Sequence, residues 1–294
     1  MRYPASLDLS LAMLIAGSAV TAGKVLTASL PVFLATELGL SVGLLCLLPM
    51  TFILRRERIL RDLRTNIVLL AQAACGIVLY RVCILYGLKL TSASLAGLIS
   101  SAAPVVIAAL AFAVLREKPN LKSVAGIASV TAGLVAVNMA ALGESGNGLL
   151  SLKGNLLVFA AVCCEALFSI MSKAGSKSMS ALYRTTAVAV YAWIILLPLS
   201  VQEYMAAEAL TFDLPSLICI LYYGIFVSFL SYLFWFRGAA KVKAGEAGLY
   251  IGLVPLSSLG LSALLLGERI TALHLVGLGC IITGIIFSYF SRDI

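Results

Sequence analysis

The amino-acid sequence predicts an all-α membrane protein of ten transmembrane helices, arranged as two inverted five-helix repeats. Three observations predict it. The 294 residues are 62% hydrophobic and only 12% charged, with a mean hydropathy of +1.07, which leaves too little polar surface for a domain folded in water. The chain also repeats itself at one fixed offset, and its basic residues sort by loop.

At roughly 20 apolar residues per span, the chain has room for about ten helices. We place them at 8–28, 31–54, 66–88, 93–115, 121–141, 150–172, 182–201, 214–236, 245–266 and 271–290. The alternating segments of about ten residues that build a membrane β-barrel are absent, and uninterrupted apolar runs such as Leu110 to Leu115 favour helices. The first apolar segment contains Lys24 and lacks a convincing cleavage site, so it reads as the first helix rather than a signal peptide.

The repeat is clearest between Ala93–Pro119 and Ala244–Ile270. Pro104 and Pro255 stand 151 residues apart, and the same offset pairs Ala96 with Ala247, Gly97 with Gly248, Leu110 with Leu261 and Glu117 with Glu268. It continues outward, pairing Leu79 with Leu230, Gly87 with Gly238, Gly126 with Gly277 and Gly133 with Gly284. Such a period is too long for a solenoid unit and implies two homologous halves, 8–141 and 150–290.

Charge placement orients them. One set of loops and helix ends collects Arg2, Arg55, Arg56, Arg58, Arg61, Arg64, Arg116, Lys118, Lys122, Lys173, Lys177, Arg184, Arg237, Lys241, Lys243 and Arg292. The other set holds Lys89, Lys153, Arg269 and the acidic group Glu203, Glu208 and Asp213. The positive-inside rule puts the first set, and both termini, in the cytoplasm, with the chain in the cell (inner) membrane. Five spans per half is an odd number, so the second half must lie upside down relative to the first.

With this layout, the segment FWFRGAAKVKAGEAGLYIGLVPLSSLGLSALLLGERITALHLVGLGCIITGII at 234–286, and its echo ASLAGLISSAAPVVIAALAFAVLREKPNLKSVAGIASVTAGLV, resemble the EamA family of the drug/metabolite transporter superfamily. The pattern is a proline midway through helices four and nine, a Gly-Glu or Arg-Glu at the end, and a glycine-bearing fifth helix. The resemblance implies a solute permease whose central cavity is lined mainly by helices one, three, four, six, eight and nine and exposed alternately to each side. Where the family often carries aromatic residues in helices one and six, this chain has Ala16 and Glu165, so the pocket reads as open and acidic. Glu37 stands where the family commonly has a basic residue.

The residues themselves nominate a site. Pro104 and Pro255 remove helical amide donors and free the carbonyls of Ser100 and Ile251. Those carbonyls are met by the hydroxyls of Ser100, Ser101, Ser257 and Ser258, or they face a polar cavity. Arg81 in helix three and Glu165 in helix six are ionisable groups inside spans, where an unpaired charge costs on the order of 3 kcal/mol. Either they close a salt bridge, or Arg81 binds a carboxylate while Glu165 binds an ammonium group or a coupling proton. Tyr80, Tyr86, Tyr222, Tyr223, Tyr232 and Trp235 supply rings that stack a substrate or pack the bundle. Lys24 and Glu37 are either interfacial anchors or a candidate gate pair. Glu246 complements the dipole at the start of helix nine, and Glu117 and Glu268 are expected to tie helix-end turns. His274 begins the last helix and reads as structural or interfacial. The glycines of helices five and ten suit close packing, within the chain or in a homodimer.

The seven cysteines fall inside spans and form no CxxC pair, so no metal or cofactor is expected. Ser145 in Gly143-Glu144-Ser145-Gly146 lies in a loop far from the single histidine, and no GxxxxGK motif for nucleotide is present. The expected partners are a small-molecule substrate and the lipid bilayer, not nucleic acid. The expected function is secondary transport, read as export, of a small polar metabolite, an amino acid or derivative. The alternatives are a transporter of cationic amines or other drug-like solutes, an intramembrane enzyme, or a non-transporting scaffold.

Overall fold

The fold is taken from a computed structural model that describes residues 4–55, 63–90, 96, 99–142, 152–174, 179–207, 210, 212–266 and 270–289. Among these residues there are helices and no strands. We label them α1 (Ala5–Ser29), α2 (Val32–Met50, running on as a π turn Thr51–Arg55) and α3 (Leu63–Ala73, a π segment Ala74–Leu79, then Tyr80–Leu90). There follow α4 (Ala103–Leu115), α5 (Leu121–Leu142), α6 (Leu152–Ala174) and α7 (Ala181–Ala206). α8 again has three parts, Leu214–Tyr222, a π segment Tyr223–Ser231 and Tyr232–Ala239. α9 comprises Ala244–Leu249, a 3-10 turn Tyr250–Gly252 and Leu253–Leu266, and α10 is Ala272–Tyr289.

Seven helical runs in the described residues are long and apolar enough to cross a membrane. Three shorter apolar stretches, Ala5–Ala19, Ala103–Leu115 and Ala272–Phe287, accompany them. Large side chains such as Ile53, Leu121 and Leu264 are three-quarters or more exposed on the outside of the bundle. An apolar exterior over an all-helical backbone is what a hydrocarbon solvent requires, because each helix satisfies its own amides. This is a multi-pass membrane protein.

Local sequence sets the helix ends. Ser180 and Asp213 accept the amides of Tyr183 and Ser216 at 3.1 and 3.0 Å and so start α7 and α8, and Asn120 does the same for α5 through Ser123. α4 stops at Arg116, whose φ of 55° is left-handed, and the Arg116 and Glu117 amides both reach back to the Ala111 carbonyl. The repeated prolines sit just after interruptions: Pro104 in the first turn of α4, behind the turn at Ser101 and Ala102, and Pro255 three residues into the last segment of α9. There a missing amide costs little.

The duplication is visible in the packing. A Cβ on Gly133 would stand 2.5 Å from the Gly277 carbonyl oxygen, and one on Gly284 would stand 2.7 Å from that of Gly126. The 151-residue offset carries one of these contacts onto the other, and Ser129 donates to the carbonyl of its own counterpart, Cys280, at 2.7 Å. These contacts run in opposite chain directions, so α5 and α10 are antiparallel. The pair α2 and α7 behaves likewise, with Thr51 bonded to Thr186, Trp193 to Ser41, and Glu203 to the Phe33 and Leu34 amides. Gly87 of α3 packs on Val158 of α6, and its counterpart Gly238 of α8 packs on Leu9 of α1. The glycines offered for a homodimer contact are therefore occupied within one chain.

Candidate functional site: a central cavity

The helices enclose a cavity of about 660 Å³, within the range of small-molecule sites. α3 and α8 bring in its rings and its cation. Their π segments occupy equivalent places; each contributes to the lining, through Gly76 and Ile77 in one repeat and Tyr223, Val227 and Ser231 in the other, and leads directly into Tyr80 and Arg81 or into Tyr232. A wide turn shifts the register of the side chains that follow and is often found at functional sites. The sequence offers no signal for it beyond the pairing of Leu79 with Leu230.

All seven residues nominated for substrate contact line this one cavity: Arg81, Glu165, Ser100, Ser101, Tyr80, Tyr232 and Trp235. Arg81 and Glu165 are half-buried and form no ion pair with each other; among the described residues, the ion pairs are those of Asp8 with Arg237 and Lys241. The closed salt bridge considered from sequence is thus not formed. The Tyr80 and Tyr232 rings belong to the same wall. Trp235 is 4% exposed and donates its indole N–H to Ser172 at 3.2 Å, while Phe168 meets Tyr232 edge-on at 5.9 Å. Gly76 lies under Phe168, where a Cβ would come within 2.1 Å of the ring.

Several expectations are corrected. Ser257 donates to the Leu14 carbonyl of α1 at 2.6 Å rather than to the turn freed by Pro255, because α1 and α9 pack face to face. Pro255 lines the cavity, whereas Pro104 is absent from its described lining. Glu117 accepts the Ala244 amide at 2.8 Å and so binds the end of α4 to the start of α9, not to its own turn; Glu268 lies outside the described residues. Arg184, counted among loop cations, is 1% exposed. It stacks over Phe236 at 4.4 Å and donates to the Met171 carbonyl at 3.3 Å, because α7 enters the bundle core in its first turn. Of the candidate gate pair, Glu37 is 5% exposed with no hydrogen-bond partner on either carboxylate oxygen, and it is not in the described lining of the cavity. The side chain of Lys24 lies outside the described residues.

Sequence reasoning missed two features. One is the set of ties at the end of the bundle that carries the basic residues. Buried Asp8 accepts from Lys241 at 2.7 Å and lies 3.4 Å from Arg237, and Lys173 donates to the Ala240 carbonyl at 3.2 Å. With Glu117, these contacts fasten the α8–α9 turn to α1, α4 and α6. The other is the contribution of α5 and α10 to the cavity through Leu134, Val137, Asn138 and His274. Among the described residues no three His, Cys, Asp or Glu side chains converge as metal ligands.

Comparison with known proteins places this architecture. The EamA-like transporter family matches residues 6–139 and again 152–290. The uncharacterized transporter YetK of Bacillus subtilis (strain 168) is 34% identical over 284 residues, covering 96% of this chain and 85% of that protein. A probable amino-acid metabolite efflux pump of Salmonella typhimurium (strain LT2) is 26% identical over 209 residues, 67% of this chain and 68% of that protein. A crystal structure of 21% sequence identity shares the fold with a TM-score of 0.82, covering 99% of this chain and 100% of that one. Both halves of the chain match one family, and the antiparallel pairing of their equivalent helices is the structural form of that match: this chain belongs to the EamA-like transporter family.

Proposed function

We propose that the chain is a secondary permease of ten spans, built as inverted repeats at 8–141 and 150–290 with both termini in the cytoplasm. It exports a small polar metabolite, an amino acid or derivative, by alternating access. The observation that carries this reading is the presence of two opposite, mutually unpaired charges, Arg81 and Glu165, on the wall of one cavity among Tyr80 and Tyr232. A zwitterion offers a carboxylate to the guanidinium and an ammonium group to the carboxylate, neutralising both inside an apolar bundle. Ser100, Ser101 and Trp235 complete the wall.

The ties around Asp8, Glu117 and Lys173 fasten the basic end of the bundle, which supports a state facing away from the cytoplasm. Lys24 and Glu37 remain proposed gate residues on the opposite side. The efflux role named for the Salmonella relative fits this reading.

Ligand-induced thermal stabilisation of the purified protein tests it, because a ligand that binds the folded state raises its melting temperature. Zwitterionic amino acids should stabilise the protein, with the effect lost in both Arg81→Met and Glu165→Gln. Stabilisation by amines alone, lost only in Glu165→Gln, would replace this substrate class with a cation.

A further inference from the structure

The wall of the cavity made by α4, α5 and α10 carries polar groups that the two charges do not account for. Asn138 donates its amide nitrogen to Ser101 Oγ at 3.1 Å and to the Leu134 carbonyl at 2.8 Å. Both hydrogens are then used, and Oδ1 is left as an oriented acceptor with no partner among the described residues. His274 accepts the Thr271 amide on Nδ1 at 3.1 Å, which puts the proton of the neutral ring on Nε2. That N–H also has no partner among the described residues, and both side chains line the cavity.

Helix register brings them together. Gly133 meets both Gly277 and Ile281, and Gly284 meets both Gly126 and Val130, so facing residues of α5 and α10 have numbers that sum to between 410 and 414. Asn138 therefore stands level with positions 272–276, which include His274, within about 3 Å of helix rise. One acceptor and one donor, each held by a backbone partner, thus lie at a similar level of the cavity wall. A ligand supplying one donor and one acceptor would satisfy both groups at once.

We infer that Asn138 and His274, braced by Ser101 and Thr271, form a side-chain subsite. It takes a neutral hydrogen-bonding group, a hydroxyl or a carboxamide, on the zwitterion held by Arg81 and Glu165. This rests on the zwitterion reading above and narrows it to amino acids with polar uncharged side chains.

The test compares near-isosteric pairs by thermal stabilisation of the intact protein in detergent: asparagine against leucine, glutamine against methionine, serine against 2-aminobutyrate. In the wild type the polar member should bind at least about tenfold more tightly, the equivalent of one charge-free hydrogen bond or more. Asn138→Leu should bring each pair to parity by weakening the polar member alone, and His274→Gln, which keeps a donor, should retain part of the preference. Parity in the wild type, or an undiminished preference in Asn138→Leu, overturns the subsite and leaves the zwitterion reading standing. Absence of stabilisation by either member of every pair overturns both.

Discussion

Arg81 and Glu165 were legible in the sequence because a charge inside an apolar span is conspicuous. Their failure to pair was not, since it depends on how α3 and α6 are rotated about the cavity. Asn138 escaped notice, and His274 read as structural or interfacial, for a related reason: a neutral amide and an imidazole near a span end have many ordinary roles, and their place on the cavity wall comes from the packing of α5 and α10. Asp8 was overlooked because an acidic residue at the start of the first helix reads as a solvated end, yet it is 2% exposed beneath Lys241 and Arg237. Replacing it with Asn leaves two cations facing a neutral group. With Lys241 and Arg237 each more than a third exposed, solvent screening limits the expected loss to about 2 kcal/mol. A lowered melting temperature of Asp8→Asn, partly restored by adding Lys241→Met, checks this; an unchanged melting temperature contradicts it.

At the scale of the helix, the duplicated glycines were readable but their use was not, since small residues serve contacts within or between chains equally well. The close crossing of α5 and α10 now separates them. Gly277 has the Gly133 carbonyl oxygen 2.6 Å from where a Cβ would sit, whereas Gly279 on the same helix has nothing within 4 Å. Gly277→Ala should therefore destabilise the protein by roughly 1–3 kcal/mol through overpacking, while Gly279→Ala should be neutral or slightly stabilising from helix propensity. Equal melting temperatures for the two variants would show that the crossing is not tight. The start of α8 makes a prediction in pH. The hydrogen bond from the Ser216 amide at 3.0 Å holds the Asp213 carboxyl below the usual carboxylate range. A lowered folded value favours the ionised form, so this contribution is fully present above the ordinary aspartate value and drains away as pH falls through the lowered one. Asp213→Asn still caps the helix, and it should lose the part of the acid-dependent fall in melting temperature, below about pH 4, that Asp213 supplies.

At the scale of the whole molecule, hydropathy, the 151-residue offset and basic-residue sidedness made the all-helical, duplicated membrane architecture readable without coordinates. The π segments of α3 and α8 and the fastening of the α8–α9 turn were not readable, because both arise from contacts between repeats rather than from any local pattern. Those contacts tie helix ends together at the basic end of the bundle, and the cavity bears both signs of charge. If that end is closed and cytoplasmic, a cysteine introduced at Ser258 in a cysteine-free background should react with a membrane-impermeant thiol reagent from outside intact cells. Reaction only from the cytoplasmic side would reverse the orientation. The central claim, that two unpaired opposite charges hold a zwitterion in transit, is tested most directly by counterflow of a labelled neutral amino acid in proteoliposomes. Wild-type protein should accumulate the label against preloaded unlabelled amino acid, and Arg81→Met and Glu165→Gln, folded and reconstituted equally, should each lower the initial rate at least tenfold. Counterflow that is undiminished in both variants would contradict the account.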